Sequence, residues 1–528
     1  MPADQDLTAD YVIVGSGSAG SVLANRLSAD PTTSVVLLEA GLPDKNKFAH
    51  IPAAFAKLFR TEADWDYLTE PQPQLDNRQI YWPRGKLFGG SSSMNAMMWV
   101  RGFRADYDEW AELAGDEWGF DAAVAQFRRI ERVEDAQFPD QGREGPLHVS
   151  RQRSPRALTA AYLEAVRQAG YVVEPANRPE PVGFSETMVT QRDGRRWSAA
   201  DAYLRPALRR SNLIVRAGAL ATRVLFDGTR ATGVEYRVGD RTQRVTARRE
   251  VVLCGGAINS PQLLMLSGIG DRDQLTRHGI DVVHHAPQVG ENLQDHLVTG
   301  IGYGVAADSL FDAEKPRQLL DYLIRHRGML TSNVGEAYGF VRSTAELALP
   351  DLELVFAPAP FYYEALSEPT EHGVILATVL LRPHSRGRIA LASPDPTDKP
   401  LIDPRYLSDE AGIDRAALMA GLRTCAAIAQ EPAMRAVLGP LIYPPEAPND
   451  VERTLERTLN GFAHTLYHPA GTCRMGSDAA SVVTPRLEVR GVRGLRVADA
   501  SVLPVLVRGH THAPTVFVGE QAAKFLLD

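Results

Sequence analysis

Cysteine is scarce in this chain: Cys254, Cys425 and Cys473 are the only three among 528 residues. An odd, sparse set is no disulfide framework, and no two are close enough for a zinc knuckle, so the thiols are expected to be reduced and packed. The 13 histidines show no HExxH or comparable ligand spacing, and no metal is expected. No apolar run is long enough to span a bilayer. The opening Met1-Pro2-Ala3-Asp4-Gln5-Asp6 lacks the basic and apolar regions of a signal peptide, which makes a cytoplasmic location the expectation. There is no excess of basic charge either. The net charge of -8 argues against nucleic acid or an anionic membrane surface as the main partner. Internal repeats and low-complexity tracts are missing. What remains, 44% hydrophobic and 23% charged, is the composition of a soluble globular protein, and 528 residues exceed one ordinary core. Two domains or an interleaved pair are expected.

The most informative feature present is the segment Val14-Gly15-Ser16-Gly17-Ser18-Ala19-Gly20. It follows the β-branched run Tyr11-Val12-Ile13-Val14, which suits a buried parallel strand. Gly15, Gly17 and Gly20 fit the three glycine places of a dinucleotide fingerprint: a tight turn, close approach to a pyrophosphate, and close packing of the next helix. That helix would offer its N-terminal N–H groups and dipole to the phosphates. Ser34 to Leu38 reads as a second strand, and Glu39 ends it where a carboxylate would accept a ribose hydroxyl. The motif alone does not separate FAD from NAD.

Further along, helical patterning covers residues 107–131 and 157–169. Strands are expected at 213–216, 221–226, 233–236 and 250–254, the last ending in Gly255-Gly256 and leading to a helix with Pro261 in its first turn. From about 300 to 460 the character changes. Strand-like runs at 352–356 and 374–381 and an Ala-rich helix at 415–430 suggest an antiparallel sheet with covering helices. A short strand at 495–499 follows.

The loop Gly85-Lys86-Leu87-Phe88-Gly89-Gly90-Ser91-Ser92-Ser93-Met94-Asn95 runs straight into apolar Ala96, Met97, Met98 and Trp99, as a Gly-rich loop lining a site would. This segment resembles the first signature of the glucose–methanol–choline (GMC) oxidoreductases, with Phe88 where that family usually has an aliphatic residue. Residues 256–270, Gly-Ala-Ile-Asn-Ser-Pro-Gln-Leu-Leu-Met-Leu-Ser-Gly-Ile-Gly, resemble the second signature. Tyr467-His468-Pro469-Ala470-Gly471-Thr472-Cys473-Arg474-Met475-Gly476 resembles the catalytic histidine segment. The resemblance covers essentially the whole chain and is nearest to the bacterial choline-dehydrogenase-like branch.

The resemblance implies FAD and an α/β (α+β overall) fold: a Rossmann-like FAD-binding domain from residues 1–155, 210–300 and 462–528, interleaved with a substrate domain from 156–209 and 301–461. It implies that Gly15, Gly17, Gly20 and Glu39 hold the ADP half, with Ser18, Ala19, Ala40, Trp65 and Gly255 also among the cofactor contacts. Ala221 would meet the adenine. Arg84, Gly85, Leu87, Gly89, Gly90, Asn95, Ala96, Met97 and Met98 would wrap the pyrophosphate and flavin. Asp499 and Ala500 would approach the cofactor's middle, and Pro514 and Thr515 would begin a last helix facing the flavin. Met94 stands where members with a covalent flavin carry histidine, so noncovalent FAD is expected.

By the same resemblance His468 is the catalytic base and His510 its partner. Histidine suits the work, since its pKa lies near operating pH and an alcohol must lose its hydroxyl proton as hydride leaves carbon. His512 competes with His510 for the partner role; its place commonly touches the flavin. His464 and His296 read as satisfied core residues. Leu466 would lie where oxygen reacts, and Leu466 and Tyr467 are candidate pocket residues with the aromatic cluster Phe361-Tyr362-Tyr363, which core packing explains equally well. A quaternary ammonium substrate would want an aromatic cage and a carboxylate, and no acid can be assigned.

The expected function is oxidation of a primary alcohol (aryl, furanic or aliphatic) to the aldehyde, with oxygen or another acceptor taking the electrons. The alternative is a hydroxynitrile lyase whose flavin does not turn over. A light-driven fatty-acid decarboxylase is disfavoured by the two histidines, and a noncatalytic flavin-binding scaffold by the completeness of both histidine segments. The oligomeric state stays open.

Overall fold

A computed structural model describes residues 7–362, 366–446 and 450–528. Two seven-stranded sheets organise them. The first is built around Leu7–Val14, whose Val12 and Ile13 are fully buried. It pairs in parallel with Val35–Glu39 on one side and Arg241–Leu253 on the other. Leu213–Ala217 extends the sheet in parallel beyond Val35–Glu39. Beyond Arg241–Leu253, Arg230–Val238 and Ala219–Asp227 continue it antiparallel, while Leu495–Val497 joins in parallel. Arg241–Leu253 is longer than its apolar end implied, because its polar first half is held by hairpin pairing with Arg230–Val238 rather than by burial.

The second sheet is antiparallel, in the order Leu438–Tyr443, Leu297–Val305, Gly373–Leu380, Leu352–Ala357, Ala337–Val341, Phe184–Glu186. The helix Ile413–Ala429 covers it, with Gly421 close against Thr378. The pair His464–Thr465 adds to Leu297–Val298. This sheet therefore begins at Leu297 and reaches Thr465, slightly outside the 301–461 stretch on both sides.

Several boundaries differ from the sequence expectation for identifiable reasons. The helical run at 107–131 is two helices, Arg104–Ala114 and Phe120–Ile130, because Gly115 turns out of the helix with φ +98°. The helix Gly256–Leu266 starts four residues early, so Pro261 lies inside it rather than in its first turn. Proline cannot bond the carbonyl four residues back. Here the Thr472 hydroxyl donates to that carbonyl, on Ala257, at 2.6 Å. The last helix, His512–Leu527, begins at His512 rather than at Pro514. All three cysteines are free and buried.

Candidate active site

A cavity runs from the strand ends of the first sheet at Val14, Glu39 and Leu253 to the segments around His468 and His510, and its nucleotide-like end is made of backbone. Gly15 has φ +99°, and a Cβ there would sit 2.4 Å from the Cys254 carbonyl oxygen. At Gly17 a Cβ would meet nothing within 4 Å, so this backbone faces open cleft. At Gly20 it would lie 1.9 Å from the Gly15 carbonyl, so Gly20 seats the helix Ser18–Leu27 and lies behind the wall. Gly90 packs on Gly17, and the Gly89 N–H donates to the Ser16 carbonyl at 3.0 Å, laying the Gly/Ser loop on the fingerprint turn. Glu39 is buried; its carboxylate accepts from Ser16 N (2.8 Å), Ser16 Oγ (2.7 Å) and Gly41 N (2.8 Å).

Gly15, Gly17, Ser18, Ala19, Glu39, Ala40, Trp65, Arg84, Gly85, Gly90, Asn95, Ala96, Met97, Met98, Ala221, Gly255, Asp499, Ala500, His512 and Thr515 line this one cavity. Gly20, Leu87, Gly89 and Pro514 do not; they support its wall from behind. Asp499 ties the second signature to the C-terminal segment, accepting from Gly256 N (2.8 Å) and Ser260 Oγ (2.6 Å).

The opposite end is made of side chains. His468 and His510 both line it, with ring centroids 4.7 Å apart at 70°. His512 takes another position: its Nδ1 is 2.9 Å from Ser18 Oγ, and its buried Nε2 has no partner among the described residues. Burial pushes His512 down to about 4. Of the two competing histidines, His510 is therefore the one against His468. The backbone at Tyr467 is strained, with φ +68°. It is pinned from both sides: Arg84 Nη2 donates to the Tyr467 carbonyl (2.7 Å), and His468 N donates to Asp295 Oδ1 (2.9 Å).

Two residues that sequence reasoning passed over complete the cluster. Glu353, fully buried, places its carboxylate oxygens 3.1 and 3.2 Å from His510 Nε2. His296, read from sequence as a core residue, sits with Nδ1 2.9 Å from His468 Nδ1 and Nε2 3.2 Å from the Leu381 carbonyl. A carbonyl only accepts, so His296 Nε2 carries a proton. Burial pushes His296 down to about 3, so the ring is neutral and its Nδ1 is an acceptor. His468 Nδ1 must then be the donor. Burial first, then the nearby His510, His296 and Arg84, hold His468 well below 6.5, so it too is neutral. Its Nε2 is left as a bare lone pair. The chain from the Leu381 carbonyl thus fixes which nitrogen of His468 is basic, while Glu353 suits a positive charge on His510.

Around this end the wall is apolar. Leu466 and Tyr467 are on it, as are Phe55, Phe59 and Met94. Phe361 is one layer back, its ring 5.8 Å from that of Phe55. Tyr362 is not on the wall: it stacks on Tyr443 at 4.9 Å over Gly302 and Gly373, as sheet packing. Tyr363 lies outside the described residues. The phenylalanines of the 50–60 stretch were missed because they sit in a loop-rich segment without a motif. One other group, Asp44, His50 and Asp201, has ligand atoms near enough for a metal, but the Arg205 guanidinium occupies it, bonding both Asp44 oxygens at 2.5 and 2.6 Å.

A fingerprint cleft running into a buried histidine pair defines an oxidoreductase of the nucleotide-cofactor type. The GMC oxidoreductase family models match residues 9–298 and 383–519. An uncharacterized GMC-type oxidoreductase of Mycobacterium tuberculosis is 64% identical over 525 residues, 99% of each chain. An alcohol dehydrogenase [acceptor] of Pseudomonas putida is 42% identical, over 98% of this chain and 95% of that one. A formate oxidase of Aspergillus oryzae, solved for the effect of a mutation on FAD modification, superposes with a TM-score of 0.92 at 27% identity over 99% of both chains. The chain belongs to the GMC oxidoreductases, a family of FAD-dependent enzymes. The cavity fits that cofactor: backbone opens to it at Gly17, and the orphaned His512 Nε2 lies on its wall.

Proposed function

We propose that the protein is a cytoplasmic alcohol oxidoreductase that oxidises primary aryl, furanic or aliphatic alcohols to aldehydes with noncovalent FAD. The observation that carries this reading is the neutral His468 set against a His510 that is backed by Glu353. His468 Nε2 takes the hydroxyl proton. His510, its Nε2–H donated to Glu353, acts as the imidazolium and donates its Nδ1–H to the alkoxide as charge develops. The flavin supplies the hydride acceptor at N5. His512, neutral and anchored on Ser18, contacts the cofactor. Residues 1–155, 210–300 and 462–528 form the FAD-binding domain, and 156–209 and 301–461 form the substrate-binding domain, which carries most of the second sheet and the helix that covers it.

Noncovalent binding is supported by Met94, a cavity residue without a nucleophilic nitrogen. A neutral substrate is supported by the wall's charges. Among the described residues its carboxylates are Glu39 and Asp499, each already accepting from backbone N–H groups, and Arg84 is a buried cation near His468. A quaternary ammonium would meet no free acid there.

The test is anaerobic mixing of the yellow protein with benzyl alcohol, hydroxymethylfurfural, a mid-length alkanol and choline, followed by air. Bleaching by the neutral alcohols and not by choline is expected. Rapid recovery in air identifies oxygen as acceptor, and persistent bleaching another carrier. No bleaching by any alcohol overturns the reading.

A further inference from the structure

We propose that the helix Pro316–Arg325 and the arginine-lined cleft at its C-terminal end form a docking surface for an anionic phospholipid bilayer. The helix is inside out. Leu319, Leu320, Leu323 and Ile324 are 44%, 58%, 62% and 68% exposed. Their spacing puts all four on one stripe. A surface helix ordinarily turns such a stripe to the core. Here the inward side carries polar groups instead: Gln318 Oε1 accepts from Met329 N at 3.2 Å, and buried Tyr322 is the one apolar anchor.

Beside this stripe, Arg153, Arg192, Arg195, Arg196, Arg205 and Arg325 line a cleft in which Asp193 and Asp201 are the acids. Arg196 is 2% exposed. Its Nη1 donates to Asn95 Oδ1 (2.6 Å) and Ser92 O (3.2 Å), yet its buried Nε and Nη2 have no partner among the described residues. A buried guanidinium with two unmet donors fits an anion. The acids near the helix are engaged: Asp312 with Lys315, Glu314 with Lys57, Asp321 with Arg325.

The chain as a whole carries -8, yet here Arg153, Arg192, Arg195, Arg196, Arg205 and Arg325 outnumber the acids paired with them, Asp44, Asp193, Asp201 and Asp321, so the cleft is locally positive. An apolar stripe bordered by arginines matches a helix lying in the interface of an anionic membrane, with headgroup phosphates in the cleft. Among the described residues no helix is long and apolar enough to cross a membrane. Tyr322, Met329 and Leu330, under the helix, belong to one apolar cluster with Phe55, Phe59, Met94 and Tyr467 of the active-site wall. Docking would set the bilayer one layer of side chains from the cavity.

The test is co-sedimentation of the holoenzyme with vesicles of equal parts phosphatidylglycerol and phosphatidylcholine, beside pure phosphatidylcholine and added salt. Binding to the anionic vesicles, weakened by salt, is expected. A Leu320→Glu/Ile324→Glu double variant should lose at least about tenfold in affinity, with flavin spectrum and solution mass unchanged. Three outcomes overturn the proposal: no binding to anionic vesicles, equal binding by the variant, or a wild-type dimer that the variant dissociates, which would assign the face to a second copy of this chain.

Discussion

At the nucleotide end of the cavity the decisive groups are backbone, from Gly15, Gly17 and Gly90, and they sit in two short Gly-rich turns packed on each other. At the histidine end they are side chains from His296, Glu353, His468 and His510, drawn from the second sheet, the segments that flank its strands and the C-terminal segment. The first end works by removing side chains so that a ligand can approach. The second works by burying polar side chains so that each fixes the proton of the next. Binding and chemistry should therefore be separable by mutation.

The largest effect is expected from breaking the first end. Gly17→Val puts a side chain where the protein leaves open space, so the fold should survive while the cofactor is lost; a colourless protein with unchanged far-UV circular dichroism is the expected result. A yellow Gly17→Val protein would sink the contrast. At the other end, His468→Ala should keep the flavin and slow its reduction by alcohol about 10³-fold, the usual contribution of a general base. Glu353→Gln leaves His510 a neutral acceptor in place of a carboxylate and should cost about 10- to 100-fold in kcat/KM, the worth of a charged hydrogen bond. His296→Leu strands the His468 Nδ1–H in a buried site and should lower flavin reduction about tenfold. Leu466→Ala should give the smallest change, a modestly faster reoxidation in air, read by stopped flow.

The same contrast explains what could be read in the sequence. The fingerprint, the Gly/Ser loop and the histidine segments are local: residues that act together are neighbours in the chain, and their spacing is their geometry. Glu353 and His510 are 157 positions apart, and His296 and His468 are 172 apart, so no spacing announces them. A faint signal existed for Glu353. It is the charged residue in the otherwise apolar strand Leu352–Ala357, and a buried acid demands a partner. His296 offered no such signal, since a histidine next to a strand is as well explained by packing. Tyr362 shows the converse: an aromatic cluster suggested a pocket, and Tyr443 took the ring as a packing partner instead. Boundaries failed where tertiary contacts override propensity, as at Pro261, where the Ala257 carbonyl that proline cannot bond is met by Thr472 from a distant segment.

The central claim is that burial keeps His468 neutral with Nε2 as the base. Its sign can be worked out for pH. A histidine whose pKa is held below 6.5 stays deprotonated as pH falls through that value and is lost as a base only at more acid pH. The most direct measurement is the rate of anaerobic flavin reduction by a bleaching alcohol as a function of pH. The account predicts a rate that holds steady from about pH 8 down through 6.5, with its acid limb well below. An acid limb at or above 6.5 in the wild-type protein would contradict it.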